Sequence, residues 1–85
     1  MKDLLLEAML KNLKNEKDLD QFFQDILTPK EYEDILVRFA ICQELSQGKT
    51  VQQVSEKLRI ASATVVRGNR IMKYGTGKLK EMASK

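Results

Sequence analysis

Eight consecutive residues, Ile35 to Cys42, are apolar except for Arg38. Wound into a helix, this stretch shows apolar side chains on nearly every face, and a helix that is apolar all round has to be surrounded. At 85 residues the chain is near the size at which one core only marginally supports a fold, and two shorter helices cannot easily wrap the third. A second copy of the chain is the more economical cover, so a homodimer is expected. The other reading keeps this helix inside a monomer, with Val37 or Ile41 left partly exposed. A content of 42% hydrophobic and 32% charged residues argues for a globular chain rather than a disordered, fibrous or membrane one. No apolar run approaches the ~20 residues of a spanning helix, and Leu4 to Leu6 is too short for a secretory core, so a cytoplasmic protein with no membrane partner is expected.

Helical periodicity runs through the whole chain. Leu6, Met9, Leu10 and Leu13 recur at helical spacing, and a second stripe from Asp18 carries Leu19, Phe22, Phe23 and Ile26. Thr28-Pro29-Lys30-Glu31 is a start signal: Thr28 can cap, Pro29 suits the first helical position, and Glu31 can close a capping box. That third helix should run to about Gln47, where Gly48 favours the left-handed stop. Thr50 and Gln53 form a second capping pair for a helix with Val51, Val54 and Leu58 on one face. Arg59-Ile60-Ala61-Ser62 reads as a tight turn, with Ser62 as the cap of a further helix from about Ala63 to Lys73. Tyr74-Gly75-Thr76-Gly77 breaks the pattern, and Leu79 and Met82 predict a frayed last turn. No strand, repeat or low-complexity tract is visible. The expectation is one all-α domain over 1–85, divided into a helical dimerisation part (1–48), a helix-turn-helix (50–73), and a terminal turn with a short helix (74–85).

Charge divides the chain more sharply than its total of +3 implies. Residues 1–48 hold six basic and ten acidic residues, net −4, whereas 49–85 hold nine basic and two acidic, net +7. A cationic segment of that density is what a phosphate backbone attracts by counterion release, although a solvated basic face has the same composition. Residues 50–73 have the length and pattern of a helix-turn-helix, whose second helix enters the major groove. Its outward side would show Ala63, Thr64, Val66, Arg67, Arg70 and Lys73. The small and hydroxyl side chains there allow close approach to base edges, and the cations farther along can bind guanine edges or phosphates.

Enzymatic alternatives find little support. With no histidine and a single cysteine, the chain lacks the common zinc-ligand sets, histidine-based acid/base chemistry and any internal disulfide. Gly48-Lys49-Thr50 looks like the end of a phosphate loop, but Gln43 stands where the first glycine belongs. Gly75-Thr76-Gly77-Lys78 likewise has no strand before it and reads as a helix stop. Asp18, Asp20, Asp25, Glu31, Glu33 and Asp34 fall at helix starts and solvated faces, where the helix dipole favours acids. Cys42 lies in the most apolar stretch without an activating neighbour and reads as inert core. No enzyme, cofactor or metal site is expected.

Leu27-Thr28-Pro29, Arg38, Glu44-Leu45, Gly48 and Ala63-Thr64-Val65-Val66-Arg67-Gly68 resemble the tryptophan repressor superfamily, in order from about Leu10 to Lys73. Arg70-Ile71-Met72-Lys73-Tyr74-Gly75 is more similar to its YerC/YecD-type subgroup. The resemblance implies an all-helical, intertwined homodimer with paired helix-turn-helix readers, a transcriptional repressor that sometimes takes an amino acid as corepressor. The expected DNA-binding set is Gln52, Ser62, Ala63, Thr64, Val66, Arg67, Arg70 and Lys73, with double-stranded DNA as partner. Leu27, Thr28 and Arg67 match the pocket-forming and ligand-binding positions and are the candidates for a small carboxylate-bearing effector. Two departures argue against tryptophan: Ala40 stands where the family has an arginine that stacks on the indole, and Ile71 replaces a hydroxyl that helps bind the amine. Arg67 can hold a carboxylate bidentately, or it can bind DNA phosphate or an acidic neighbour; both readings stay open. Arg59 stands at a turn position where the family prefers glycine. The alternative from another class is a helical dimer that docks its basic half on an acidic protein surface.

Overall fold

A computed structural model describes all residues, Met1 to Lys85. It contains six helices and no strand: α1 (Lys2–Asn12), α2 (Glu16–Ile26), α3 (Pro29–Ser46), α4 (Val51–Leu58), α5 (Ser62–Tyr74) and α6 (Lys78–Ala83). The chain falls into two compact units, Met1–Glu33 and Asp34–Lys85.

In the first unit, α2 begins two residues earlier than the stripe from Asp18 predicts. The Asn15 side chain accepts from the Asp18 backbone N–H at 2.9 Å, and the Asp18 carboxylate accepts from the Lys14 N–H at 2.9 Å. Asp18 is thus part of the start signal rather than the first helical residue. The α3 capping box forms as its sequence predicts: the Glu31 N–H donates to Thr28 Oγ1 (3.2 Å) and the Thr28 N–H to Glu31 Oε1 (2.9 Å). Phe23 packs between Phe22 and Tyr32, with ring centroids 5.6 and 5.7 Å away, and the Tyr32 hydroxyl donates to Asp20 Oδ1 at 2.8 Å. That carboxylate, accepting the phenolic proton, raises the Tyr32 pKa above its ordinary 10.0. No residue of α1 or α2 is buried, and Leu4 and Leu10 are 74% and 80% exposed.

The second unit holds the core. Ile41 and Cys42 of α3, Val54 of α4 and Val65 of α5 are fully enclosed, with Val37, Leu45, Val51, Leu58 and Ile60 packed around the cluster. Of the apolar stretch that dominates the sequence, Ile41 and Cys42 are buried, Val37 is half-buried and Leu36 is exposed. Gly48, at φ +87°, ends α3 in the left-handed conformation expected of it. The Thr50–Gln53 capping box then starts α4, with bonds of 2.9 and 3.1 Å.

One helix-terminal assignment needs correction. Ser62 does not cap α5: it is the first helical residue, and Ala61 precedes it as N-cap with no side-chain hydrogen bond. The cap position is filled by a residue without an acceptor, so the carbonyl of Ala61 alone begins the ladder, accepting from Thr64 and Val65. In α6 the buried side chain is Ala83, while Met82 is exposed and Leu79 half-buried, so packing of the terminal turn rests on the small residue.

One contact fixes how closely α5 lies on α3. Gly68 is buried, and a Cβ added there would stand 2.6 Å from Ile41 Cγ2 and 3.3 Å from Ile41 Cβ. Ile41 is β-branched and enclosed, so it cannot swing aside without disturbing Val54 and Val65. Gly68→Ala therefore overpacks the seam at a cost of ~1–3 kcal/mol, against a helix-propensity gain of up to about 1 kcal/mol. The expected outcome is a thermal midpoint lower by about 5 °C, with most of the loss removed in an Ile41→Ala background. An unchanged or raised midpoint in calorimetry would contradict the close approach.

Candidate nucleic-acid interface

The helix, turn and helix of residues 51–74 are held by a short hydrogen-bond network. The Arg59 and Ile60 N–H groups both donate to the Ser55 carbonyl, the second at 3.1 Å, and the Ser55 hydroxyl donates to the Ile60 carbonyl at 2.6 Å. This arrangement places Arg59 at φ 57°, ψ 48°, the left-handed region that costs a side-chain-bearing residue on the order of 1 kcal/mol. It is the one non-glycine residue with positive φ in the chain. The turn thus has the shape a glycine would give it, built around an arginine.

Val65 and Gly68 form the buried side of α5, with Met72 half-buried. Ser62, Ala63, Val66, Arg67, Arg70 and Lys73 are exposed, brought onto one broad side by the helical repeat. Thr64, expected with them, is half-buried and lies toward the side of Gly68, so it reaches the surface from the flank. Arg67 and Arg70 have no ion-pair partner, and the Lys73 ammonium stands 5.6 Å from the Tyr74 ring centroid. Gln52 is exposed on α4 and donates to Glu56 Oε1 at 3.2 Å.

The residues matched to an effector site are divided between the two units. Leu27, half-buried at the end of α2, and Thr28, whose hydroxyl is engaged in the α3 cap, belong to the first; Arg67 belongs to the second. Ala40 is half-buried on α3, and Ile71 is 37% exposed on α5. No group of three or more potential metal ligands is assembled, and no helix is long and apolar enough to cross a membrane.

A group that sequence pattern does not reveal is Glu44, in the last turns of α3. Its carboxylate pairs with Lys49 through one oxygen and with Lys57 of α4 through the other at 2.9 Å, the Glu44 side chain being 14% exposed. The hydrogen bonds from Lys49 and then Lys57 hold its carboxyl below the ordinary 4.5, and Glu44 in turn raises Lys57. Spacings of five and thirteen residues match no helical pair rule, so no periodic signal marks the clasp.

The sequence that builds these features has counterparts among known proteins. The family model described as Trp repressor protein matches residues 2–85. The Trp operon repressor homolog of Photobacterium profundum is 38% identical over 80 residues, covering 93% of this chain and 73% of that protein. The Trp operon repressor homolog of Aliivibrio salmonicida is 33% identical over 70 residues, 81% of this chain and 65% of the relative. No solved structure gives a significant match. The class defined at this level is that of DNA-binding transcriptional regulators. The chain belongs to the Trp repressor family.

Because Glu44 has a depressed pKa, its contribution to stability is complete above the ordinary carboxylate value and is lost as pH falls through the lower folded-state value. Acid titration of unfolding should accordingly show wild type losing stability below about pH 4.5, and Glu44→Gln losing less over that window. Identical pH slopes for the two proteins would show that the clasp contributes nothing.

Proposed function

We propose that this protein is a sequence-specific transcriptional repressor that acts in the cytoplasm as an intertwined homodimer, with α5 of each protomer in the major groove of duplex DNA. The observation that carries this reading is the exposed side of α5, where small side chains at Ala63 and Val66 are followed by the unpaired cations Arg67 and Arg70 and by Lys73. Small residues let a helix approach base edges, and unpaired cations are available to phosphates. Ser62 lies on that side and Thr64 reaches it from its edge, and this reading also assigns the exposed Gln52 of α4 to the DNA-binding set. Residues 1–48 supply the pairing surface on this reading. Leu4, Leu10, Ile26 and Leu36 are each more than half exposed in the isolated chain, more apolar surface than a small monomer ordinarily leaves to water.

Selection of bound duplexes from a random library tests the proposal. A homodimer should recover a pseudo-palindrome with half-sites about one helical turn apart. Recovery of no preferred sequence, with binding instead to acidic proteins, would favour a protein-docking module. Tryptophan should not alter the selection. Ala40 removes a stacking cation worth ~0.5–2 kcal/mol and Ile71 a hydrogen bond worth about 0.5–1.5 kcal/mol, together about one to two orders of magnitude in affinity. The effector this reading allows is a carboxylate-bearing metabolite whose carboxylate is held by the guanidinium of Arg67. Strong tryptophan-dependent enrichment would overturn that part of the reading.

The face should divide by role. Lys73→Ala is expected to weaken binding to all duplexes alike and to lower the salt slope by about one unit, while Val66→Gln is expected to change which sequences are preferred. Quantitative binding to several operators over a range of salt concentrations separates the two effects, and the reverse assignment of effects would refute the division.

A further inference from the structure

The Ser55 bonds set the left-handed backbone at position 59, but nothing inside the molecule explains why an arginine fills it. The turn is closed by Ser55, through its carbonyl and its hydroxyl, and the Arg59 side chain takes no part in those bonds. It is exposed and has neither an ion pair nor a hydrogen bond. The carboxylates that follow α3's first turns in the second unit are committed elsewhere: Glu44 to Lys49 and Lys57, Glu56 to Gln52, and Glu81 to Lys78 and Lys85. Glycine would relieve the left-handed φ without loss of any contact the fold makes. Strain that persists without an internal return is what residues kept for binding display.

We propose that Arg59 is a DNA-binding residue, a phosphate contact at the turn between α4 and α5 that adds to the affinity of the cationic helix face without reading sequence. The inference rests on the proposed DNA-binding function. Its chemistry is that of a guanidinium fork on a backbone phosphate, presented from a turn whose rigid bonding fixes where the side chain leaves the main chain. A short turn between a helix that crosses the backbone and a helix that enters the groove lies beside phosphates in this docking geometry.

The test compares wild type with Arg59→Gly and Arg59→Lys, measuring thermal midpoint and duplex affinity against salt on the selected operator and on unrelated DNA. Arg59→Gly should unfold at a higher temperature yet bind both duplexes more weakly, on the order of tenfold at low salt. Its salt slope should fall by about one unit per contact removed. Arg59→Lys, which keeps the charge and the strain, should retain most of the slope. Undiminished binding by Arg59→Gly would overturn the proposal while leaving the DNA-binding reading intact, as would equal losses in Arg59→Gly and Arg59→Lys. A loss confined to the operator would replace the phosphate contact by base reading. Failure of wild type to bind either duplex would instead remove the functional reading on which the inference stands.

Discussion

The second unit depends on the contact of Ile41 with Gly68. Because glycine carries no side chain, α5 can lie against the β-branched residue of α3, and the space between them is filled by Ile41 itself, Cys42, Val54 and Val65. The Cys42 sulfur lies 4.0 Å from the Gly68 carbonyl, a weak polar contact within the same seam, and burial raises its thiol pKa. A nucleophile so enclosed and so held in the neutral form has a packing role. Everything that α5 presents outward is set by which side it turns inward, and that is decided at Gly68 and Val65.

Charge is distributed to the same end. The carboxylates at α3's end and in α6 are paired with lysines and that of Glu56 in α4 accepts a hydrogen bond from Gln52, while Arg59, Arg67 and Arg70 are left without carboxylate partners. Glu44 ties α4 to the end of α3 through Lys57 and removes two lysines from the free cationic surface. All three arginines of residues 49–85 therefore stand unpaired on the turn and on α5, with Lys80 of α6 a further unpaired cation. This is a more specific statement than a net charge of +7 in the C-terminal half, since a sum does not distinguish engaged from unengaged cations.

Local signals are legible in the sequence, and signals between distant residues are not. Both Thr capping boxes and the Gly48 stop depend on residues within four positions of one another, so spacing alone identifies them. Asn15 escapes a reading by periodicity because a capping asparagine followed by charged residues carries no apolar onset to mark it. Ser62 lies one position inside the boundary that its residue type suggests, because a serine near a helix start resembles a cap whether or not its backbone lies outside the helix. The inward tilt of Thr64, the Gly68 approach and the Glu44 clasp depend on packing between separate helices, which periodicity does not encode. At the proposed interface, Ala63, Val66, Arg67, Arg70 and Lys73 are exposed where the pattern puts them outward, and Thr64 is the exception.

Amide hydrogen exchange of the full chain, free and bound to a selected duplex, addresses the central claim most directly. If α5 meets DNA, exchange slows at the turn and first half of α5, residues 59–68, beyond the protection those amides have in the free protein. Protection confined to residues 1–33, with 59–68 unchanged under saturating duplex, would contradict the account.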